Sequence, residues 1–227
     1  MRSPIVHEIV NLPINGLVCY LIWNHYREST YSADQRYSTF APRFWTGTVD
    51  RFVVAPVALT ATALFALQPP RIITALIFIV ENLAWVAYTI VMHARCGQTV
   101  GKMVTRVRVV DFATEGSISW LQASIREGIP ALISVGLLGY LVSAIVTGQT
   151  SPDDPYRPAS PAGTIPYRGL FALPLLWFAA EVVTMLTNPK RRALHDLLAG
   201  TVVIRTNCQP AGIPVPAGGD PSIPRDA

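Results

Sequence analysis

Charge is what this chain has least of. Asp, Glu, Lys and Arg make up 14% of its 227 residues, and hydrophobic residues make up 51%. A soluble domain carries about 25% charge, so an ordinary water-soluble globule is excluded. Lysine is almost missing: only Lys102 and Lys190 occur, an arginine-heavy usage that fits a GC-rich bacterial genome. Cysteine is scarce too. Cys19, Cys96 and Cys208 are odd in number, far apart and without a CxxC pair, so no disulfide framework is expected. His7, His25 and His93 are scattered, which gives no metal-ligand spacing. No nucleophile, base and orienting group fall together, so neither enzymatic activity nor a cofactor is expected. A secretory leader is not expected either, because His7, Glu8, Asn11, Pro13 and Asn15 interrupt any apolar stretch at the start.

What the chain does have is long apolar runs. A membrane-spanning helix needs about 20 predominantly apolar residues. Four runs approach this, roughly Phe44–Leu67, Ile72–Met92, Ile125–Thr147 and Leu170–Leu186. Gln68-Pro69-Pro70-Arg71 is a tight link, so the first two form an antiparallel hairpin. Residues Ile5–Trp23 are apolar enough to lie in the interface or on the bundle, but Asn11, Pro13 and Asn15 argue against a full span.

Basic residues orient the bundle, because loops on the cytoplasmic side carry the excess of Lys and Arg. With the N-terminus inside, fifteen of the eighteen fall on the inner side, and only Arg71, Arg157 and Arg168 fall outside. Both termini are therefore expected in the cytoplasm. The formal net charge of +4 then reflects topology and contact with anionic lipid, not nucleic-acid binding. The outer loop Gly148–Gly169, with five prolines, reads as an extended irregular connection, and the Pro- and Gly-rich tail after Cys208 reads as disordered. The expected organisation is an N-terminal cytoplasmic or interfacial segment 1–39, a membrane domain 40–206 and a tail 207–227.

Two segments between these runs carry distinctive patterns. Gly97-Gln98-Thr99-Val100-Gly101-Lys102 invites comparison with a phosphate-binding P-loop, but only three residues separate its glycines and Met103 follows the lysine. The glycines instead turn the chain out of a helix, and Lys102 is expected to meet lipid phosphate or a helix C-terminus. Val107-Arg108-Val109-Val110 alternates like a short strand, and Thr201-Val202-Val203-Ile204 reads as a second. An isolated strand would leave backbone groups unpaired, so these two are predicted to pair on the cytoplasmic face.

These elements resemble the RDD family of integral membrane proteins. The family carries a Gly-x-Thr-x-Gly-Lys element that runs into a Val-rich strand ending in Asp, matched by Gly97, Thr99, Gly101, Lys102, Val109 and Asp111. It also carries a basic-x-Leu-His-Asp-Leu-Leu-Ala-Gly-Thr element, matched by Arg192, Leu194, His195, Asp196, Gly200 and Thr201. The arginine and two aspartates that name the family correspond by resemblance to Arg43, Asp50 and Asp196. Thr105-Arg106 departs from relatives, which tend to have a small residue such as glycine after the lysine. The implied architecture is an all-α membrane protein: a bundle of about four transmembrane helices with a short strand pair, multi-pass in a bacterial cytoplasmic membrane.

Ionisable groups inside a membrane usually face the bundle interior and mark function. At about 1.5 Å of rise per residue, Asp50, Glu81 and Glu181 fall in one inner-to-middle layer, with Arg43, Arg51 and Arg126 at or below it and Glu127 at the start of the third run. Arg43 and Asp50 share a helix face but are too far apart for a direct pair, so Asp50 is expected to pair across helices, with Arg126 for example. Pro56 is expected to break the helix beside Asp50, a common way to build an ion site. The alternative for the glutamates is a protonated carboxyl bonded to Asn82, Thr89 or Thr184. His195-Asp196 is expected to act as a helix cap or strand anchor, and Gly139, Ser143 and Thr147 as a packing stripe. Two functions remain open. One is transport of a small ion or solute, such as cation/proton exchange, by a homo-oligomer. The other is a non-transporting scaffold or accessory subunit that recruits a partner.

Overall fold

The computed structural model describes residues 4–151, 154–158 and 164–208. Helix α1 spans Pro4–Arg27, and a short 3-10 turn at Ala33–Gln35 leads into α2, Phe40–Ala66. The tight proline link then gives α3, Arg71–Cys96, followed by α4, Val100–Val104, and strand β1, Val107–Asp111. Helix α5, Trp120–Thr147, precedes strands β2, Thr150–Ser151, and β3, Asp154–Pro158. Helix α6 spans Thr164–Thr187, α7 spans Leu194–Ala199, and β4 closes the described chain at Thr201–Arg205.

Among the described residues, three helices, α2, α3 and α5, are long and apolar enough to cross a membrane. The described side chains of α6, from Ala172 to Thr187, form a shorter apolar stretch. Large apolar side chains such as Leu67, Leu121, Leu132 and Leu175 are two-thirds or more exposed. A water-soluble monomer rarely exposes so many, and a bilayer is the solvent that suits them. Between α3 and α5 the apolar contact is Ala75 and Phe78 against Leu141 and Ile145. Helix α1 lies along α2 and α4 through Ile22 and Tyr26 against Val49.

The predicted strand pair forms. β1 and β4 run antiparallel, with Val107 opposite Arg205 and Asp111 opposite Thr201. Both faces of this ribbon are covered. Val107, Val109 and Val203 pack on Ala94, Ile118 and Ala123, while Val110, Val202 and Ile204 pack on the other side near Tyr37. Burial on both faces explains why these strands are nearly continuous valine and isoleucine. The segment between α1 and α2 lies against β4: Arg205 donates its backbone N–H to Arg36 O at 2.9 Å and its Nε to Ser38 O at 2.8 Å.

Three expectations need correction. Helix α2 passes Pro56 without a break. One missing donor near Phe52 is a small loss in a 27-residue helix, and membrane helices tolerate it. The connection after α5 is not wholly irregular, because β2 and β3 pair antiparallel, and α6 begins at Thr164 and not near Leu170. Residues 4–27 form one continuous helix through Pro13. The expected disordered tail, 209–227, lies outside the described residues.

Candidate functional site

The polar groups of the bundle gather at one end, where α4, α7 and the β1–β4 ribbon dock onto the ends of α2, α3, α5 and α6. Two aspartates organise this end: Asp196 anchors the start of α7 and of β4, in line with the expected cap or strand anchor, whereas Asp50 takes partners the sequence did not predict.

Asp50, on α2, is 4% exposed. Its Oδ1 accepts from the Gly101 backbone N–H at 2.7 Å and from the Tyr88 hydroxyl at 2.8 Å, and its Oδ2 accepts from the Thr99 hydroxyl at 2.7 Å. It therefore fastens the first turn of α4, where free N–H groups need acceptors and the helix dipole favours a negative charge. The family element now has a physical reading. Gly97 closes α3 in the left-handed region at φ 66°, where a Cβ would meet Val109 O at 2.9 Å. Thr99 caps α4, accepting from Lys102 N. Gly101 permits contact: a Cβ there would overlap the Thr46 carbonyl oxygen and lie 2.9 Å from the Asp50 carboxyl carbon. Only Gly97 turns the chain. Gly101 is a packing glycine, a role spacing alone could not reveal.

Asp196, on α7, is fully buried. Its Oδ2 accepts from Arg43 Nη1 at 2.5 Å and from the Ala193 backbone N–H at 3.1 Å. Its Oδ1 accepts from Arg126 Nη1 and from the Thr201 hydroxyl. One carboxylate thus joins α2, α5, the start of α7 and the start of β4. Burial alone would raise its pKa, but the Arg126 and Arg43 guanidinium groups hold it well below the ordinary aspartate range. The expected Asp50–Arg126 pair does not form. Arg126 serves Asp196, and Asp50 is satisfied by one backbone N–H and two hydroxyls. Gly200, at φ 64°, ends α7 and frees Thr201 to start β4.

Two histidine–carboxylate pairs flank this knot. His195 Nδ1 meets Glu181 Oε1 across α7 and α6, and its Nε2 lies 3.6 Å from Asp196 Oδ1. His93 Nδ1 lies 3.1 Å from Glu127 Oε1 across α3 and α5. His93 is 2% exposed, whereas Glu127, Glu181 and His195 each keep about a fifth of their side-chain surface accessible. Lys102 projects from α4 into the same region and makes no side-chain hydrogen bond or ion pair among the described residues. Burial pushes its ammonium down to about 8, with Arg126 and then Arg43 adding to the shift and Glu127 and Asp50 opposing it.

The remaining predicted groups lie elsewhere. Glu81, on α3, lines an apolar groove of about 510 Å³ between α2 and α3 with Pro56, Ala61, Leu64 and Val80. It is separate from the Asp50 cluster. Asn82, Thr89 and Thr184 bond backbone carbonyls of their own helices, not the glutamates. Sequence reasoning placed His195 as a cap and overlooked its bond to Glu181. The fourteen-residue separation across a turn carries no periodic signal. Arg106 sits in the left-handed region at φ 55°.

The RDD family matches residues 37–200. Curated proteins and solved structures gave no match. The matched region is well over half of the chain and takes in Arg43, Asp50, the glycine element and Asp196. With that match and its apolar helices, the chain belongs to the RDD family of membrane proteins.

Proposed function

We propose that this protein is a small ion transporter in which the His93–Glu127 and His195–Glu181 pairs exchange protons. The observation that carries the reading is their placement. Each pair joins two helices, each lies beside the Arg43–Asp196–Arg126 knot, and each keeps a partly accessible carboxylate. Paired titratable groups in such surroundings are how membrane proteins couple proton uptake to a change of helix contacts. Asp50 and Asp196, whose oxygens are all engaged, hold the scaffold on which the pairs sit. In this reading α6 is the fourth span, and the polar end faces the cytoplasm of a bacterial cell, as the arginine distribution favours. A bundle this narrow forms a path only as a homo-oligomer, with Glu81 on the groove between α2 and α3. No catalytic step is assigned.

The test is flux of sodium ions and protons in proteoliposomes under an imposed pH gradient, with Glu127→Gln and Glu181→Gln beside the wild type. The expected result is at least a tenfold loss of flux in one or both variants, with unchanged unfolding temperature. Wild-type flux retained in both would refute the coupling role.

The engagement of every Asp50 and Asp196 oxygen within the chain favours a second reading, a non-transporting scaffold. It predicts no flux from folded wild type, and loss of a partner complex on altering the exposed side chain of Arg108.

A further inference from the structure

The hydrogen-bond inventory of the polar end is unbalanced in one direction. Both oxygens of Asp50 and both of Asp196 accept bonds from the chain itself. The charged groups left over beside Asp196 are donors. Arg43 Nε and Nη2 and Arg126 Nε are buried and have no acceptor among the described residues. Neither ring nitrogen of His93 has a hydrogen-bond partner among the described residues, although Nδ1 lies 3.1 Å from Glu127 Oε1; a neutral imidazole offers one donor and one acceptor. Arg43 and Arg126 are each more than nine-tenths buried and clasp opposite oxygens of one carboxylate, so their spare N–H groups flank it. Lys102 comes from a third element, α4, within electrostatic reach of both guanidinium groups and of Glu127 and Asp50. Leaving a buried donor unmatched costs about 1–3 kcal/mol, more when it is charged. A metal cation would find no free oxygen on either aspartate. An oxyanion would find three cationic side chains from α2, α4 and α5.

We propose that Arg43, Lys102 and Arg126, with His93 beside them, form a binding site for a phosphate group at the polar end of the bundle. Guanidinium groups match phosphate oxygens with paired donors, and a lysine ammonium adds a point charge. Asp196 holds the two guanidinium groups in place, and Asp50 holds α4, which carries Lys102. Glu127 and the Asp50 carboxylate lie near and oppose an anion, which favours a singly charged phosphate over a dianion. The same chemistry is offered by a free phosphate and by a lipid headgroup. Binding is a separate property from flux, and the assay below reads binding alone.

The full chain in dodecyl maltoside is melted, with tryptophan fluorescence as the signal, in rising sodium phosphate at fixed ionic strength set with chloride. A parallel series adds phosphatidylglycerol to the micelles. Lys102→Gln is the variant of choice because the side chain makes no hydrogen bond to lose, and Lys102→Arg restores the charge. Ligand at ten times its dissociation constant is expected to raise the wild-type midpoint by about 3–6 °C. Lys102→Gln is expected to lose most of that rise and Lys102→Arg to recover it. A rise with phosphate identifies the free anion, and a rise with phosphatidylglycerol alone identifies the headgroup. No rise with either, or an equal rise in Lys102→Gln, overturns the site.

Discussion

Removing the Asp50 carboxylate by Asp50→Ala should undock α4. Three donors converge on it, and they are not equivalent. The Tyr88 hydroxyl also accepts from Val100 N at 3.0 Å, and the Thr99 hydroxyl also accepts from Lys102 N, so both keep that incoming bond, and each can rotate its freed O–H toward another acceptor. The Gly101 N–H has no alternative in the first turn of α4. Stranding it costs about 1–3 kcal/mol, and losing two charge-assisted bonds adds about 1.5–3 kcal/mol each. The expected destabilisation is about 4–9 kcal/mol, a large share of the 5–15 kcal/mol that holds a typical protein folded. Gly101→Ala attacks the same contact from the other side. Its methyl group would overlap the Thr46 carbonyl, and backbone cannot yield as a side chain does, so a loss of about 2–4 kcal/mol is expected. Because both changes break one interface, the double variant should cost little more than the worse single variant, with a coupling of about 2–3 kcal/mol. Denaturant titration in detergent micelles measures all four proteins. Additivity within about 0.5 kcal/mol, or a loss below about 1 kcal/mol for Asp50→Ala, would refute the docking argument.

Arg106→Gly should stabilise the protein by about 0.5–1 kcal/mol, read as a midpoint rise of about 2 °C. It relieves a left-handed non-glycine residue, offset in part by the freedom glycine gains in the unfolded chain. An unchanged or lower midpoint would count against that account. Arg43→Gln leaves Asp196 with one cation in place of two and should cost about 3–5 kcal/mol. A loss under about 1 kcal/mol would show that Arg126 suffices. Acid should unfold the protein through its depressed carboxyls. Asp196 is held well below its ordinary value, and Asp111 is held at about 2 by the Thr114 backbone N–H, the Gln122 amide and the Thr114 hydroxyl. The unfolded chain binds more protons below its own aspartate value near 3.9, so this stability is present above about pH 4 and lost as pH falls toward 2. Melting curves from pH 6 to 2.5 check it, and a midpoint flat to pH 2.5 would contradict it.

Apolar length and the positions of glycine and proline made most of the fold legible. Runs near 20 residues gave the helices within a few residues at most ends. The valine alternation gave β1 and β4, and the cost of unpaired backbone gave their partnership. What sequence could not give was which charge meets which. Arg43 and Asp50 share a helix and a family name, which made Asp50 look like the group to be paired. Helix α4 fills the space beside it, and the cations turn to an aspartate 153 positions from Arg43. A proline in a helix also misled, because one lost bond in α2 is small beside the packing that keeps the helix whole. The role of Gly101 depends on a carbonyl 55 residues away, Thr46 O, and no local pattern encodes such a distance.

The link from Arg43 to Asp196 has a consequence for biosynthesis. Chain elongation proceeds at about 5–20 residues per second, so the 153 residues between them take about 8–30 s to make. Throughout that interval Arg43, joined by Arg126 once α5 is made, is without its anion. Strand β4 emerges immediately after Asp196, so neutralisation of the arginines and closure of the ribbon fall within moments of each other. The polar end is therefore the last part of the molecule to assemble. A nascent chain that stops short of residue 196 carries two guanidinium groups without the carboxylate that joins them.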